Sequence, residues 1–469
     1  MRKRYSWLVL LFVIALVASA CSSDDDGTAD TLPETTTTAG GGATTTTAAP
    51  TTTAGGGDEA PAIKTDVGVD ADAKVISLGL LADLTGLFAP LVIDITDAQQ
   101  VYWDTVNAAG GIDGWTVDLV IEDTNYNVEQ HAEKYEKIRG DVVAISQSTG
   151  SPTNVATLPE YMEDGKLVLP LSWYSGWAIP EFDDGLMIEQ NTNYCLEAMN
   201  LVHFMQDMGG TKVALATFPG DYGQDAAAGV KKAIDFYGME LVYDGEAAVI
   251  PGQDYTAVIA GIAGSGADWT FLTTNPSIGA EILAGAVQAG YAGRFTGSVP
   301  TYNFALLDSA AGPLYDALYY QSAYNVTWGD DTPGNNAMRD AMSAAFPDRR
   351  PSDSFIIGWN ESITMHRVLE AALASGDLTQ AGVVAAANSL EGIDFGGSAP
   401  NQSYAGTPND YVQRSLAIYD IDMAAYTAAG GPAQTLSQAD GTTGSVLAVD
   451  FFVGDAAAAY DFTAACYEL

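Results

Sequence analysis

Two periodicities alternate along this chain from about Lys74 onward. In 74–81, KVISLGLL, apolar residues run almost unbroken, as in a strand covered on both faces. Over 96–109, Ala98, Val101, Tyr102, Val106 and Ala109 take the i, i+3, i+4 spacing of one buried helix face. Gly110 and Gly111 supply the left-handed backbone that closes such a helix. Val117, Leu119 and Ile121 then alternate with Thr116, Asp118 and Glu122, which is strand period. The unit is strand, helix, tight turn, strand.

The unit repeats. A helix is predicted near 128–139, a strand at 141–145, a helix from SPTNVATLPEYM and a strand at 166–171. The cycle restarts with a strand at 211–218, a helix over 223–237 and the strand MELVYD. A helix at 254–263, a strand at 268–274, a helix at 277–289 and the strand RFTGS follow. Such alternation predicts α/β architecture, in two doubly wound parallel sheets with helices on both faces. The segment 352–390 is helical again, and 411–422 is a late strand that the simplest topology returns to the first lobe. About 400 residues exceed what one core usually serves, so two lobes joined by several crossings are expected. The reading divides the chain into 1–20, 21–73, a first lobe of 74–192 plus 323–424, and a second of 193–322 plus 425–469. Several crossings make a hinge, and a hinge between open sheets makes a cleft.

The first 73 residues follow neither period. Arg2, Lys3 and Arg4 precede an apolar run from Trp7 to Val17, too short for a comfortable membrane span, and then ASAC. This is a secretory signal over 1–20, and Cys21 stands where a lipoprotein signal carries its lipidated cysteine. Ala18 replaces the more usual leucine, and an ordinary cleaved signal is the other reading. The Thr/Gly-rich stretch that follows has almost nothing large and apolar to bury, which predicts a disordered tether over 21–73 behind a membrane anchor. The formal charge of -42 argues against nucleic acid and against adhesion to anionic lipid. With Cys21 lipidated, Cys195 and Cys466 remain as a pair that export permits to oxidise; two buried free thiols are the alternative.

Four segments carry a resemblance. GLLADLTGLFA (79–89), VNAAGGIDGWTVDLVIEDTNYN (106–127), TKVALATFPGDYGQDAAAGVKKAIDFYG (211–238) and IPGQDYTAVI (250–259) occur in this order. Together they resemble the substrate-binding proteins of branched-chain amino acid ABC transporters, the type I periplasmic binding proteins. The resemblance implies a Venus flytrap on the outer face of the cell membrane. It would be a monomer that closes on a small molecule and delivers it to the permease transmembrane subunits. In open parallel sheets a ligand sits outside the carboxyl ends of the strands, which is where such a cleft lies.

By position, that resemblance implies a ligand loop at Ser148, Thr149, Gly150 and Ser151, where a helix start and hydroxyls cradle a carboxylate. A plain helix cap is the structural alternative. Leu171, Ser172 and Trp173 fall on a second contact loop, with Tyr174 and Trp177 either beside it as an aromatic wall or beneath it as core. Asn193 falls at a lobe crossing, and Tyr222 matches a tyrosine that closes over ligand. Thr274, Asn275 and Thr301 lie at later strand ends. One departure matters: no Asp or Glu stands between Arg294 and Leu307, where many amino-acid binders keep the ammonium's partner. The solute is therefore open among amino acids, amides and carboxylates, aromatic acids included.

An enzyme has little support. His131, His203 and His366 are the only histidines, no HExxH or Cys-x-x-Cys spacing occurs, and no nucleophile elbow or phosphate loop appears. No metal and no cofactor is expected. A ligand-sensing module without transport is the more credible rival.

Overall fold

The computed structural model describes residues 62–469 apart from 439. The signal, Cys21 and most of the tether lie outside the described residues. Residues 62–73, which composition assigns to the tether, already pair: Lys64–Thr65 runs parallel to Asp377–Leu378, and Val69–Asp70 runs antiparallel to the start of the first long strand.

Two sheets organise the chain. In the smaller, Val75–Ala82 is central, with Thr116–Asp123 parallel on one side and Ala144–Thr149, then Leu167–Leu171, parallel on the other. The order is second, first, third, fourth, the doubly wound pattern with a switch point beside the first strand. The larger sheet has seven strands in the order Ser445–Phe452, Leu416–Ile421, Tyr319–Ala323, Arg294–Gly297, Trp269–Thr273, Lys212–Thr217, Glu240–Gly245. The five from Tyr319–Ala323 onward are parallel and repeat the winding. The remaining two add antiparallel. The run 411–422, expected in the first lobe, thus belongs to the larger sheet. Its Tyr419 and Ile418 face Gln321 and Ser322 in antiparallel register, a pairing a parallel-only reading does not anticipate.

Helix Ala89–Ala108 begins earlier than the periodicity at 96 predicts, because Pro90 sits at its first turn, where a missing N–H costs nothing. It crosses helix Ser354–Ser375 so closely that a Cβ on Gly358 would lie 2.0 Å from the Ile95 carbonyl oxygen. Helix Tyr194–Asp207 packs against helix Asp221–Tyr237 and the larger sheet, and its Cys195 is bonded to Cys466 as a disulfide. This ties the C-terminal segment to the start of that helix. The segment then hydrogen-bonds both jaws' loops: Cys466 N–H donates to Ser175 Oγ, and Ser175 in turn donates to Asp225.

Candidate functional site

The carboxyl ends of both sheets converge on one cavity with about 920 Å³ of empty space, counted to its open mouth. On the smaller-sheet side, Asp83 shapes the first loop by accepting the Gly86 and Phe88 N–H groups at 2.6 and 2.7 Å, which sets Phe88 in the cleft. The first helix then contributes Leu91, Val92 and Ile95. Asn125 and Tyr126 both hold positive φ of 50°, an uncommon conformation for side-chain-bearing residues. The turn brings Tyr126 against Gly150 so tightly that a Cβ there would meet Tyr126 Cε2 at 2.6 Å.

Gly150, at φ 103°, is the N-cap of helix Ser151–Asp164, and no side chain caps that helix. Thr149, Gly150 and Ser151 line the cavity, so this helix start faces empty space instead of a capping group. Unpaired first-turn amides carry partial positive charge suited to an anion. Leu171 and Trp173 line the next strand end.

From the larger sheet come Tyr222, the turn 299–304, and the strand end and extended segment 321–327; Asp353, Ser354 and Ile357 close the rim. Rings form a chain across the cleft: Phe88 and Tyr126 at 4.8 Å, Phe88 and Tyr222 at 6.2 Å, Tyr222 and Tyr194 at 4.7 Å, Trp173 and Tyr324 at 5.1 Å. The jaws also meet through Asn275 Nδ2 donating to the Leu87 carbonyl and Asn303 Nδ2 donating to the Pro90 carbonyl.

The electrostatics of the lining are one-sided. Among the described residues, Asp353 is the only charged side chain that lines the cavity, and both its oxygens already accept from the protein, Oδ1 from the Trp328 N–H at 2.7 Å and both from the Thr443 hydroxyl. Glu197 sits behind the wall, accepting from the Val299 N–H and the Ser322 and Tyr324 hydroxyls at 2.7–2.8 Å. Burial raises its pKa to about 7, against the pull of those donors. Neither acid offers a free oxygen to an α-ammonium group.

Of the residues singled out by sequence, Thr149, Gly150, Ser151, Leu171, Trp173 and Tyr222 line the cavity. The others do not. Ser148 points behind its sheet to His131 Nε2 and the Tyr161 hydroxyl. Ser172 is buried one layer back, 2.6 Å from Ser151 Oγ. Tyr174 and Trp177 pack edge to face, and the Tyr174 hydroxyl donates to the Tyr467 carbonyl, so that pair is core beneath the loop. Asn193 caps helix Tyr194–Asp207 by accepting the Leu196 N–H. Thr274 and Thr301 anchor Tyr222, whose hydroxyl donates to the Thr274 carbonyl at 2.9 Å and lies 2.7 Å from Ser298 Oγ. Asn275 caps the next helix and bridges the jaws. Tyr222 therefore offers its ring to the cleft while its hydroxyl is spent.

On the larger-sheet wall Tyr222 and the turn holding Thr301 are singled out by sequence, while the segment 321–327 and the first helix's opening turns are not. The signal for the latter was present in Pro90; for 321–327 none was. The three histidines sit apart, His131, His203 and His366 each hydrogen-bonded to a tyrosine on a different element.

With two doubly wound sheets and an interlobe cleft, the architecture is that of a type I periplasmic binding protein, and the periplasmic binding protein family model matches residues 75–453. The chain belongs to that family. Among solved structures it is similar to a fatty acid ABC transporter substrate-binding protein from Thermomonospora curvata (25% identity, TM-score 0.75, covering 85% of this chain and 97% of that one). It shares the fold of a branched-chain amino acid ABC transporter protein from Thermus thermophilus with bound valine (17%, TM-score 0.68, 82% and 97%). A possible leucine/isoleucine/valine-binding protein from Rhodopirellula baltica is similar too (18%, TM-score 0.66, 78% and 96%). No curated protein matches the chain.

Proposed function

We propose that this chain is the extracytoplasmic solute-binding lipoprotein of an ABC importer, anchored through Cys21, and that its solute is a lipophilic monocarboxylate such as a fatty or arylalkanoic acid. The observation that carries this is the composition of the cleft: an uncapped helix start at Gly150 and Ser151 opening into walls of Phe88, Ile95, Trp173, Phe304 and Ile357, whose one charged side chain among the lining residues, Asp353, has both oxygens occupied. An anion gains at the helix start. An apolar tail gains about 25 cal/mol for each Å² it removes from water. A buried α-ammonium without a countercharge costs several kcal/mol. The likeness to the Thermomonospora curvata fatty acid protein supports the same class. Delivery follows from differential affinity: a solute touching both walls favours the closed jaws, which the permease subunits then accept from a monomeric donor.

The test is calorimetric titration of the purified chain, after delipidation, with octanoate, palmitate, phenylpropionate, leucine and valine. Saturable binding of the acids, with the amino acids at least tenfold weaker, is expected. Tight leucine or valine binding without binding of the acids overturns the assignment.

A further inference from the structure

A second cavity, with about 420 Å³ of empty space counted to its mouth, lies away from the cleft, beneath the loop 177–191 and against 402–413. It borders the lobe crossings, where Thr192 bridges to Gln413 and its hydroxyl donates to the Ser415 carbonyl. Its lining is unlike that of the cleft. Asp183 is 0% exposed, Glu189 8% and Tyr404 6%, so each is more than nine-tenths buried. Asp183 Oδ2, Glu189 Oε1 and the Tyr404 hydroxyl all lack a hydrogen-bond partner, although buried polar atoms are nearly always paired. Asp183's other oxygen accepts the Gly185 N–H, and the Leu186 and Met187 N–H groups also bear on the carboxyl. Asn191 also lines the cavity; its amide nitrogen is unpartnered and its backbone holds φ 71°.

The charge around these atoms has one sign. Asp225 and Asp183 both bear on Glu189, Asp184 bears on Asp183, and Tyr411 feels Asp183, Glu189 and Glu181. Among the described residues no Lys, Arg or His lines the cavity. Burial, with like charge nearby, pushes the Asp183 carboxyl up to about 8 and Glu189 in the same direction. Two buried acids without a cation stay protonated, and a bound cation would let them ionise as its partners, since isolated buried charges are costly and paired ones are retained.

We infer that this cavity is a second binding site, for a small primary ammonium compound held by Asp183, Glu189 and the Tyr404 hydroxyl. An ammonium carries three donors, matching three unspent acceptors. Trp177, Tyr404 and Tyr411 also line the cavity, rings of the kind that attract organic cations. Calcium fits worse, because two carboxylates and a phenol fall short of the six to eight oxygens it collects. The site is independent of what the cleft binds.

The test uses the full chain titrated with methylammonium and ethanolamine, against sodium and calcium chloride at matched ionic strength, by calorimetry and thermal shift. Saturable binding of either amine is expected. Asp183→Asn and Glu189→Gln should each weaken it by about thirtyfold or more, as for loss of one member of a buried charge pair, while octanoate affinity in the cleft is unchanged. Burial keeps both acids protonated at neutral pH, so the amides replace them with little change of charge, and circular dichroism with the melting temperature of each variant checks that it is folded. The inference is overturned if neither amine binds, if binding survives undiminished in both variants, or if calcium alone binds.

Discussion

The two walls of the cleft are built by different means. On the smaller-sheet side, the strand end at Thr149 runs into a glycine at φ 103° and a helix start with no side-chain cap, so backbone faces the cavity. On the larger-sheet side, side chains do: the turn 299–304 and the segment 321–327 present rings and aliphatic groups, held from behind by one buried carboxyl, Glu197. A backbone cradle is set by geometry that few substitutions tolerate, whereas an apolar wall is set by volume and tolerates several. For the proposed solute, the first wall would select the anionic head and the second would admit a range of tails.

The comparison is broken most severely at Gly150. A Cβ there would meet Tyr126 Cε2 at 2.6 Å and Thr153 Oγ1 at 2.8 Å, in a backbone region that only glycine enters readily. Strain of this kind costs about 1–3 kcal/mol; the free variant would relieve it by shifting Tyr126 and the helix start and would have to restore it on binding, so Gly150→Ala should weaken octanoate or palmitate binding by roughly tenfold to a hundredfold. Calorimetry checks it, with circular dichroism as the control for folding. A native-like variant with an unchanged Kd means the head group is not held at this wall.

The asymmetry also explains what was legible in the chain. The cradle could be read because strand, helix start and glycine are local features: 144–151 announces its own geometry, as do the strands at Val75–Ala82 and Lys212–Thr217. Phe88 and the first helical turns were readable in principle from Pro90. The second wall was not, because 321–327 becomes a wall only when Tyr319–Ala323 pairs with Arg294–Gly297 on one side and with Leu416–Ile421, about a hundred positions later, on the other. The run 411–422 reads as a strand, but nothing in either segment shows that it closes antiparallel on Tyr319–Ala323. Ser148, Ser172 and Asn193 misled for the opposite reason. Ser and Asn suit both ligand contacts and caps, and at these positions the protein satisfies them internally.

Asp221 sharpens the contrast with a smaller effect. It opens helix Asp221–Tyr237 on the opposite jaw, and the Ser151 hydroxyl of the cradle bears on its carboxyl. Its Oδ2 has no partner, and burial raises its pKa to about 6. Above that pH it is a negative charge beside an anion's seat. Asp221→Asn should therefore tighten binding of a lipophilic carboxylate at pH 8 by up to about tenfold, the order of one close like-charge contact in a partly screened site. At pH 5, where Asp221 is protonated already, the gain should vanish. An amino-acid solute would respond in the opposite sense, since Asp221 would then be the ammonium's partner. Weaker binding in the variant, measured for whichever solute saturates the protein, would transfer the site to the amino-acid class.

The smallest effect concerns the support of the second wall and is read in stability. Glu197 has a folded-state pKa near 7, raised from 4.5 by burial, so the native protein binds its proton more tightly than the unfolded chain does. A raised carboxyl stabilises the fold below about pH 4.5, and that contribution is lost as pH climbs through 7. Asp225 and Asp353, raised from 3.8 to about 7 and about 6 by burial, act in the same direction. The melting temperature should fall between pH 5 and pH 8. Glu197→Gln keeps one carbonyl acceptor for the Val299 N–H and the Ser322 hydroxyl, turns its NH2 toward the Tyr324 hydroxyl oxygen and cannot titrate, so it should flatten the fall by about one degree for each ~1 kcal/mol in a domain of this size. Its octanoate Kd should move less than that of Gly150→Ala, because the wall's volume is retained. A melting curve that descends as steeply in the variant as in the parent would show that Glu197 is ionised throughout this range, and that the second wall is held by a charge and not by a neutral acid.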